Sequence, residues 1–309
     1  MKLKTLNALR VIQQSGSLRA AAQTLNLTQP ALTVAIRQLE DELGVQLLER
    51  TNRGVRASRY GEQLLEHAER ILGEVERARQ HIAHMRGQWT GTVRFSASPA
   101  SSMTIVPLAL QSFFRDHPEV RVECSYGVFP NVAPQLRSDA LDFALTPVAE
   151  RDLHTDLVCE PLFAGEVLIV CRQGHPLRAA TRLPQLRDVS WVYATPSPGP
   201  GAVIERVFRQ HDLPHPNVAM VCESLLVLLG VVARTDHMTT LPAGFFRQMR
   251  PAWPLQAVPI PDLLPDLAVH IVRRREASPT PVVQDLLGWI RHYASTGNGA
   301  EPSVAPARG

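Results

Sequence analysis

The feature that most constrains this chain is a long stretch suited to a single helix. Between Ser58 and Arg86 there is no proline, and the only interior glycines are Gly61 and Gly73. Apolar residues recur there at alternating steps of four and three, namely Leu64, Ala68, Ile71, Val75, Ala78, Ile82 and Met85. Such a heptad seam packs against another helix, because its members lie on one side. The spacing predicts a helix roughly 40 Å long.

The opposite side of this predicted helix is densely charged. A helix in a buried core can show a similar apolar stripe, but the many charges favour a helix that buries only one narrow seam. We therefore expect the seam to pack against a second copy of the chain, which predicts a homodimer.

Three shorter helices are predicted before this stretch. An apolar pattern with helical spacing ends at Gly16. Ser17 and Thr28 are suitable N-caps for the second and third helices, and Pro30 fits the first turn of the third. Two helices joined by so short a turn are typical of a helix-turn-helix, whose second helix enters the major groove of DNA.

The third helix carries polar side chains on the side away from its apolar face. Gln29, Thr33 and Arg37 are spaced there by four residues. Glutamine can pair with adenine, threonine can touch a thymine methyl group, and arginine can reach guanine or a phosphate. The same residues would also fit the solvated face of a small three-helix bundle, so this pattern alone leaves both interpretations open.

The segment after the third helix favours DNA contact. Two short apolar segments around an Asn- and Gly-containing turn predict a β-hairpin, which carries Arg50, Arg53 and Arg56. A β-hairpin beside a recognition helix is called a wing, and its arginines can bind phosphates or enter a narrow minor groove. Residues 1–61 contain nine Lys and Arg against four Asp and Glu, although the whole chain has a net charge of only +3. This local excess predicts a nucleic-acid contact.

Several motifs of this part occur together and in register, namely Ser17-Leu18-Arg19-Ala20-Ala21-Ala22, residues 25–32, residues 36–40 and Leu43-Gly44. Through them the chain resembles the LysR-type transcriptional regulators, which usually have Phe where Leu48 stands and Leu-Thr where Ala57-Ser58 stand. The resemblance implies a winged helix-turn-helix, a dimerising linker helix and an effector-binding domain. It implies DNA contacts by Ser17, Arg19, Thr28, Gln29, Pro30, Thr33, Arg37, Arg50, Arg53 and Arg56.

After residue 87 the pattern changes to alternating strands and helices, which predicts βαβαβ units with parallel sheets. Strands are predicted at 93–97, 120–124, 141–146, 166–170, 191–193, 219–222, 238–242 and 268–272. The last of these strands is expected to return to the first unit. The fold class is therefore α/β, with a two-lobed effector domain that resembles periplasmic binding proteins, as the effector domains of the family do.

The predicted domains follow from these patterns. They are 1–59 for the winged helix-turn-helix, 60–88 for the linker helix, 89–163 with 268–294 for the first lobe, 164–267 for the second lobe, and 295–309 for a disordered tail rich in Gly, Pro and Ala.

Ligands of open α/β sheets lie beyond the carboxyl ends of the strands, and two loops at that edge suit an anion. Residues 98–101 and 195–201 each lead to a helix N-terminus, where free N–H groups favour negative charge. The same loops are compatible with ordinary helix caps and a rigid Pro/Gly turn. Together with an aromatic residue on a third loop they predict a site for a small aromatic carboxylate or sulfonate. The predicted effector-binding residues are Ser98, Pro99, Ala100, Ser101, Phe129, Pro130, Pro198, Gly199, Pro200 and Gly201.

Within the family, the second half resembles the regulators of bacterial toluenesulfonate degradation. The stretches that carry this resemblance include residues 97–100, 107–110, 134–137, 141–146, 199–202 and 222–224. It implies an aromatic sulfonate or a related acid as the effector.

No nucleophile elbow, Gly-rich phosphate loop or HExxH motif occurs, so we expect a regulator rather than an enzyme, without cofactor or metal. The expected partners are double-stranded promoter DNA, a small-molecule effector and further copies of the chain, as a homodimer and then a homotetramer. RNA polymerase is a further candidate partner. No apolar run approaches the roughly 20 residues that span a bilayer, so we expect no membrane contact and a cytoplasmic location.

Two other functions are compatible with parts of the sequence. A ligand-binding module without a regulatory role would not need the helix-turn-helix. An architectural DNA-binding protein would not need two lobes with a polar cleft between them.

Overall fold

The structure is a computed structural model, which describes residues 1–51, 54–129, 131–148, 155–196, 199, 202–260 and 264–296. Of the predicted disordered tail, 295–309, the part from residue 297 onward lies outside the described residues, and Ser295 is the last residue of a helix. No helix in the described ranges is long and apolar enough to cross a membrane.

The N-terminal domain contains three helices and a β-hairpin, as the sequence predicts. Its elements are α1 Leu3–Ser15, α2 Leu18–Thr24, α3 Gln29–Leu43, β1 Leu48–Thr51 and β2 Gly54–Ala57. Gly16 ends α1 in the left-handed conformation, with a φ of 63°. The hydroxyl of Ser17 accepts a hydrogen bond from the N–H of Ala20, and that of Thr28 from the N–H of Ala31. Both predicted N-caps are therefore confirmed.

Hydrogen bonds fix the hairpin to the helices. One carboxylate oxygen of Glu40 in α3 accepts from the N–H groups of Leu47 and Leu48, at 2.8 and 3.2 Å. The N–H of Val55 donates to the carbonyl of Gly16 at 2.9 Å. The wing keeps a fixed position beside α3, because its first strand is tied to that helix and its second strand to the end of α1.

The long helix predicted from the seam is α4 Arg59–Met85. The N-terminal part of the seam is covered by the chain's own DNA-binding domain, since Ala68 is fully buried and α4 packs on α1. Farther along, Ile82 is 60% and Met85 is 85% exposed. The prediction of one continuous pairing seam is therefore wrong for its first turns, and only the C-terminal part is open to a second copy.

The remaining chain alternates strands and helices. In chain order they are β3 Thr92–Ala97, α5 Pro99–Ser102, α6 Ile105–Asp116, β4 Arg121–Tyr126, α7 Ala133–Arg137, β5 Phe143–Pro147, β6 Leu157–Gly165, β7 Val167–Arg172, β8 Ser190–Tyr193, α8 Val203–Gln210, β9 Asn217–Val221, α9 Leu225–Val232, β10 Thr239–Pro242, α10 Ala243–Met249, β11 Leu255–Ala257, β12 Leu267–Arg274 and α11 Pro281–Ser295.

The first lobe is built on a five-stranded sheet with the order β4-β3-β5-β12-β6. Strand β3 is parallel to β4 and β5, as predicted. Strand β12 returns from the second lobe, also as predicted, but it runs antiparallel to β5 and β6, so the sheet is mixed. Phe95 and Phe143 stack in its core with ring centroids 5.0 Å apart. Helices α6 and α11 pack together over this core.

The second lobe differs from a simple parallel unit. It contains a three-stranded antiparallel sheet, β10-β7-β11, and the parallel pair β8-β9. A bridge between Trp191 of β8 and Met238, just before β10, joins the two. Strands β6 and β11 and helix α10 were not among the predicted elements.

The face of α4 opposite the seam lies against the first lobe of the same chain. Arg77 of α4 donates to Asp139 at 3.1 Å, and Arg274 of β12 donates to both oxygens of that carboxylate at 3.0 Å. The side chain of Asp139 is only 4% exposed. Burial lowers the pKa of Arg77, but hydrogen bonds to Asp139 and Glu74 outweigh burial and leave the pKa raised. We call Arg77, Asp139 and Arg274 the arginine clamp.

We expect Asp139→Asn to destabilise the chain by about 3–5 kcal/mol, because it removes the buried carboxylate that Arg274 and Arg77 share and leaves Arg77 only its pair with the exposed Glu74. Urea denaturation of the full chain measures this loss. The matched control is Asp236→Asn, since Asp236 pairs with Arg172 at 2.7 Å but has a side chain that is 63% exposed. Its loss should stay below about 1 kcal/mol. Equal losses in the two variants would contradict a stabilising role of the clamp.

Candidate functional site

The side of α3 that faces away from the core carries the predicted DNA-contacting residues. Gln29, Pro30 and Arg37 are exposed, and Thr33 is half-buried. The Thr33 hydroxyl donates to the carbonyl of Gln29 at 2.9 Å, so this hydroxyl is engaged within the helix. What α3 offers to a partner is therefore an amide, a guanidinium and apolar groups.

The predicted DNA-contacting residues outside α3 lie at two helix caps, on α2 and on the wing. Ser17 and Thr28 cap helices with their hydroxyls, so their defined role in the structure is to set where α2 and α3 begin. Arg19 lies exposed on α2.

On the wing, Arg56 lies opposite Glu49 and donates to it at 2.8 and 3.1 Å. Both side chains are substantially exposed, and such a surface pair contributes only about 0–1 kcal/mol, so a phosphate can replace the carboxylate. Arg50 lies in β1 opposite Val55. Arg53 lies outside the described residues.

An open cleft of about 500 Å³ separates the two lobes. The ends of the parallel strands β3, β4 and β5 form its first wall, at the carboxyl edge of the sheet where ligands of such sheets bind. The ends of β8 and β10 and the start of α9 form the second wall. The residues that line it are Ser98, Pro99, Ala100, Tyr126, Val128, Pro147, Val167, Ala194, Thr195, Leu225, Thr240, Leu241, Pro242 and Leu267.

Hydroxyl groups supply the side-chain polarity of this described lining, which contains no charged side chain. The Ser98 hydroxyl oxygen is buried and has no hydrogen-bond partner among the residues that the structure describes. The backbone N–H of Ser98 donates to the carbonyl of Leu145 at 2.8 Å, which fixes the residue at the sheet edge. Burial raises the pKa of Tyr126, and the charge of Glu223 raises it further, so the phenol stays a donor at neutral pH.

Three described residues of the predicted effector site, Ser101, Phe129 and Gly199, are not among the residues that line the cleft. Ser101 is fully buried, and its hydroxyl donates to the carbonyls of Ser98 and Leu145. Phe129 is buried in the apolar cluster around Leu136, and its N–H donates to the Thr146 hydroxyl at 2.9 Å. Neither side chain lines the cleft, because the loops turn both into the core, and their part in effector binding stays a prediction.

The helix N-terminus of the first lobe, which the sequence predicts as an anion site, is also unlike that prediction. Helix α5 has only four residues, and Pro99 in its first turn has no N–H. The N–H groups of Ser101 and Ser102 both donate to the carbonyl of Ser98. This short helix therefore leaves fewer free N–H groups for an anion than the sequence predicts.

In the second lobe, the N–H of Gly199 donates to the carbonyl of Pro196 at 2.7 Å. A Cβ atom on Gly199 would collide with the hydroxyl of Thr195, so a glycine here lets the loop approach that lining residue. Pro130, Pro198, Pro200 and Gly201 lie outside the described residues.

Sequence reasoning missed most of the apolar lining. Tyr126 ends β4 and Val128 follows it, where only the neighbouring Phe129 was singled out, whereas Leu225 begins α9 and Thr240 lies within β10. For Tyr126, Val128 and Leu225 the available signal was position, since each ends or follows a strand or begins a helix. Val167 and Leu267 begin the strands at the two crossings between lobes, which the alternating pattern does not reveal.

A winged helix-turn-helix joined by a long helix to a two-lobed domain with a cleft between the lobes defines a ligand-binding regulator of transcription. Two family models match the chain. Residues 3–62 match "Bacterial regulatory helix-turn-helix protein, lysR family", and residues 86–295 match "LysR substrate binding domain". The chain therefore belongs to the LysR family and is a transcriptional regulator rather than an enzyme.

Its similarity to individual proteins is moderate but extends over most of the chain. It is 26% identical to the HTH-type transcriptional regulator GbpR of Azospirillum brasilense, over 84% of this chain and 77% of that protein. It is 28% identical to the SDS degradation transcriptional activation protein of a Pseudomonas strain, over 93% and 95%. The structure of full-length CbnR in complex with its target DNA matches with a TM-score of 0.69 at 20% identity, over 95% and 100%. The narrower resemblance to toluenesulfonate regulators is not confirmed.

Proposed function

We propose that this LysR-type regulator binds operator DNA as a homodimer, and that a small, mostly apolar acid entering the cleft changes this binding. The observation that carries the proposal is the inter-lobe cleft, whose mostly apolar lining includes Ser98, a residue with a buried hydroxyl that has no hydrogen-bond partner among the described residues. A buried donor that no protein group satisfies is a place where a ligand's acceptor adds binding energy.

The DNA part of the proposal rests on α3 and the wing. Gln29 and Arg37 are exposed on one helix, and Glu40 of the same helix holds the wing beside it. Such a pair of elements fits the major groove and the adjoining phosphates. CbnR, whose fold is similar, forms a complex with its target DNA, and this supports the same use of the N-terminal domain here.

We expect Arg37→Ala to weaken operator binding at least about fivefold, since a well-placed side-chain contact to a base is worth about 1–3 kcal/mol. The operator is first selected from a random duplex pool with the full chain, and affinity is then measured by fluorescence anisotropy. Arg187→Ala is the control, because it removes an equally exposed arginine from the second lobe. Equal affinities of Arg37→Ala and the control would argue against α3 as the reading helix.

The homodimer part rests on the uncovered end of the seam. Ala78, Ile82 and Met85 are exposed on α4, whereas the opposite face of this helix is held by the arginine clamp. A second copy of the same seam would bury these side chains. Assembly of dimers into a homotetramer and a contact with RNA polymerase remain proposals, and both follow from the family resemblance.

We expect Ile82→Asp to lower the molar mass in solution, because it would place a charge in the buried seam of the dimer. Light scattering after size-exclusion chromatography measures the mass at micromolar concentration without DNA. Gln63→Asp, an exposed position on the same helix away from the seam, should leave the mass unchanged. A wild-type mass retained by Ile82→Asp would exclude this end of the seam from the interface.

The effector part rests on the chemistry of the lining. Val128, Pro147, Leu225 and Leu267 suit an apolar body, and the Ser98 hydroxyl can donate to an acidic group. An aromatic carboxylate or sulfonate has both features. An alkyl sulfate is the second candidate, because the relative named for SDS degradation is similar along nearly its whole length.

We expect p-toluenesulfonate or benzoate to raise the melting temperature by a few degrees at millimolar concentration, since a ligand that binds only the folded state stabilises it. Octyl sulfate tests the second candidate, and benzamide is the neutral comparison. Ser98→Ala should abolish most of the rise, whereas Ser102→Ala, in the same loop but outside the lining, should retain it. An equal rise with benzamide, or no rise with any acid, would contradict an acidic effector.

A further inference from the structure

The middle of the DNA-facing side of α3 is apolar. Leu32, Ile36 and Leu39 face the core and are buried. At 3.6 residues per turn, Val34 lies about 200° round the helix from Leu32, so it points away from that core. Its exposure is 53%, which makes it one of the most exposed aliphatic side chains of the domain.

The position of the Val34 side chain is well defined, and so are the groups beside it. A β-branched side chain in a helix has one strongly preferred rotamer, so its two methyl groups are held in place. The hydroxyl of the adjacent Thr33 is engaged with the Gln29 carbonyl and does not compete for a polar partner. Arg37 lies one turn farther along the same side. A fixed apolar contact therefore lies beside Arg37, whereas Gln29 lies about 140° round the helix from Val34.

The charge of the domain indicates what covers this point. Residues 1–61 have nine basic and four acidic residues, and the exposed side chains nearest to Val34 in sequence include Arg37. A positively charged surface favours the phosphates of DNA over an apolar protein partner. In the major groove, the 5-methyl group of thymine is the apolar feature that side chains recognise.

We propose that Val34 determines part of the operator specificity by contacting the 5-methyl group of one thymine. This rests on the proposed DNA-binding function and adds a specificity residue that the polar pattern of α3 does not include. Gln29 and Arg37 read hydrogen-bonding edges, whereas Val34 distinguishes thymine from cytosine and from uracil by a methyl group alone.

The test uses the full chain and the operator selected from a random duplex pool. Each thymine of the operator is replaced in turn by deoxyuridine, which keeps the hydrogen-bonding edge and removes only the methyl group. We expect one replacement per half-site to weaken wild-type binding about fourfold, the ratio that corresponds to burial of one methyl-sized group. Val34→Ala should bind the unmodified operator more weakly and should lose its sensitivity at that same thymine.

Leu43→Ala is the matched control, because Leu43 is an exposed aliphatic residue at the C-terminal end of the same helix, 43% exposed and away from the outward side. It should keep the wild-type response to deoxyuridine. Failure of the wild type to enrich any sequence would refute sequence-specific DNA binding and this inference with it. An enriched operator whose deoxyuridine responses are the same in wild type and Val34→Ala overturns the role of Val34 alone.

Discussion

The carboxylate of Asp139 joins the two halves of this molecule. It accepts hydrogen bonds from Arg77 in the linker helix and from Arg274 in β12, and it is almost completely buried. Loss of this carboxylate would leave the largely buried guanidinium group of Arg274 without its close partner, which costs stability. These hydrogen bonds hold the linker helix to the first lobe.

Because α4 is joined to the first lobe through Asp139, its two sides make different contacts. Gly73, Arg77 and Gln80 lie on the side toward the first lobe, where Gly73 lies close to Asp139 and the side chain of Gln80 covers Gly91. The seam around Ile82 lies on the other side and stays exposed. The side toward the first lobe is defined by charged groups and by a close approach of the backbone, and the seam side is defined by its apolar pattern. In a dimer, each copy would thus carry its own first lobe in a set orientation to the shared helix pair.

Features set by neighbours in sequence were predictable, and those set by distant partners were not. Gly16, Ser17 and Thr28 fix helix ends through local backbone and side-chain chemistry, so their roles were visible in the sequence. Strand β6 was missed, because Pro161 and Glu160 interrupt its alternation and its only sheet neighbour, β12, is about a hundred residues away. The arginine clamp and the burial of Phe129 depend on tertiary contacts that no spacing rule encodes.

The position of the cleft relative to the clamp indicates how a ligand would act in the proposed function. Its lining takes Ser98 from the first lobe, Leu225 from the second, and Val167 and Leu267 from the crossings between them. A ligand shifts an equilibrium only by its differential affinity for the states involved, and a molecule touching both walls prefers the closed arrangement. Because the first lobe is fixed to α4, closure would move the second lobe relative to the helix pair. Ligand binding would then change the position of the second lobe's surface. The spacing of the two DNA-binding domains would change only if that lobe contacts another copy of the chain.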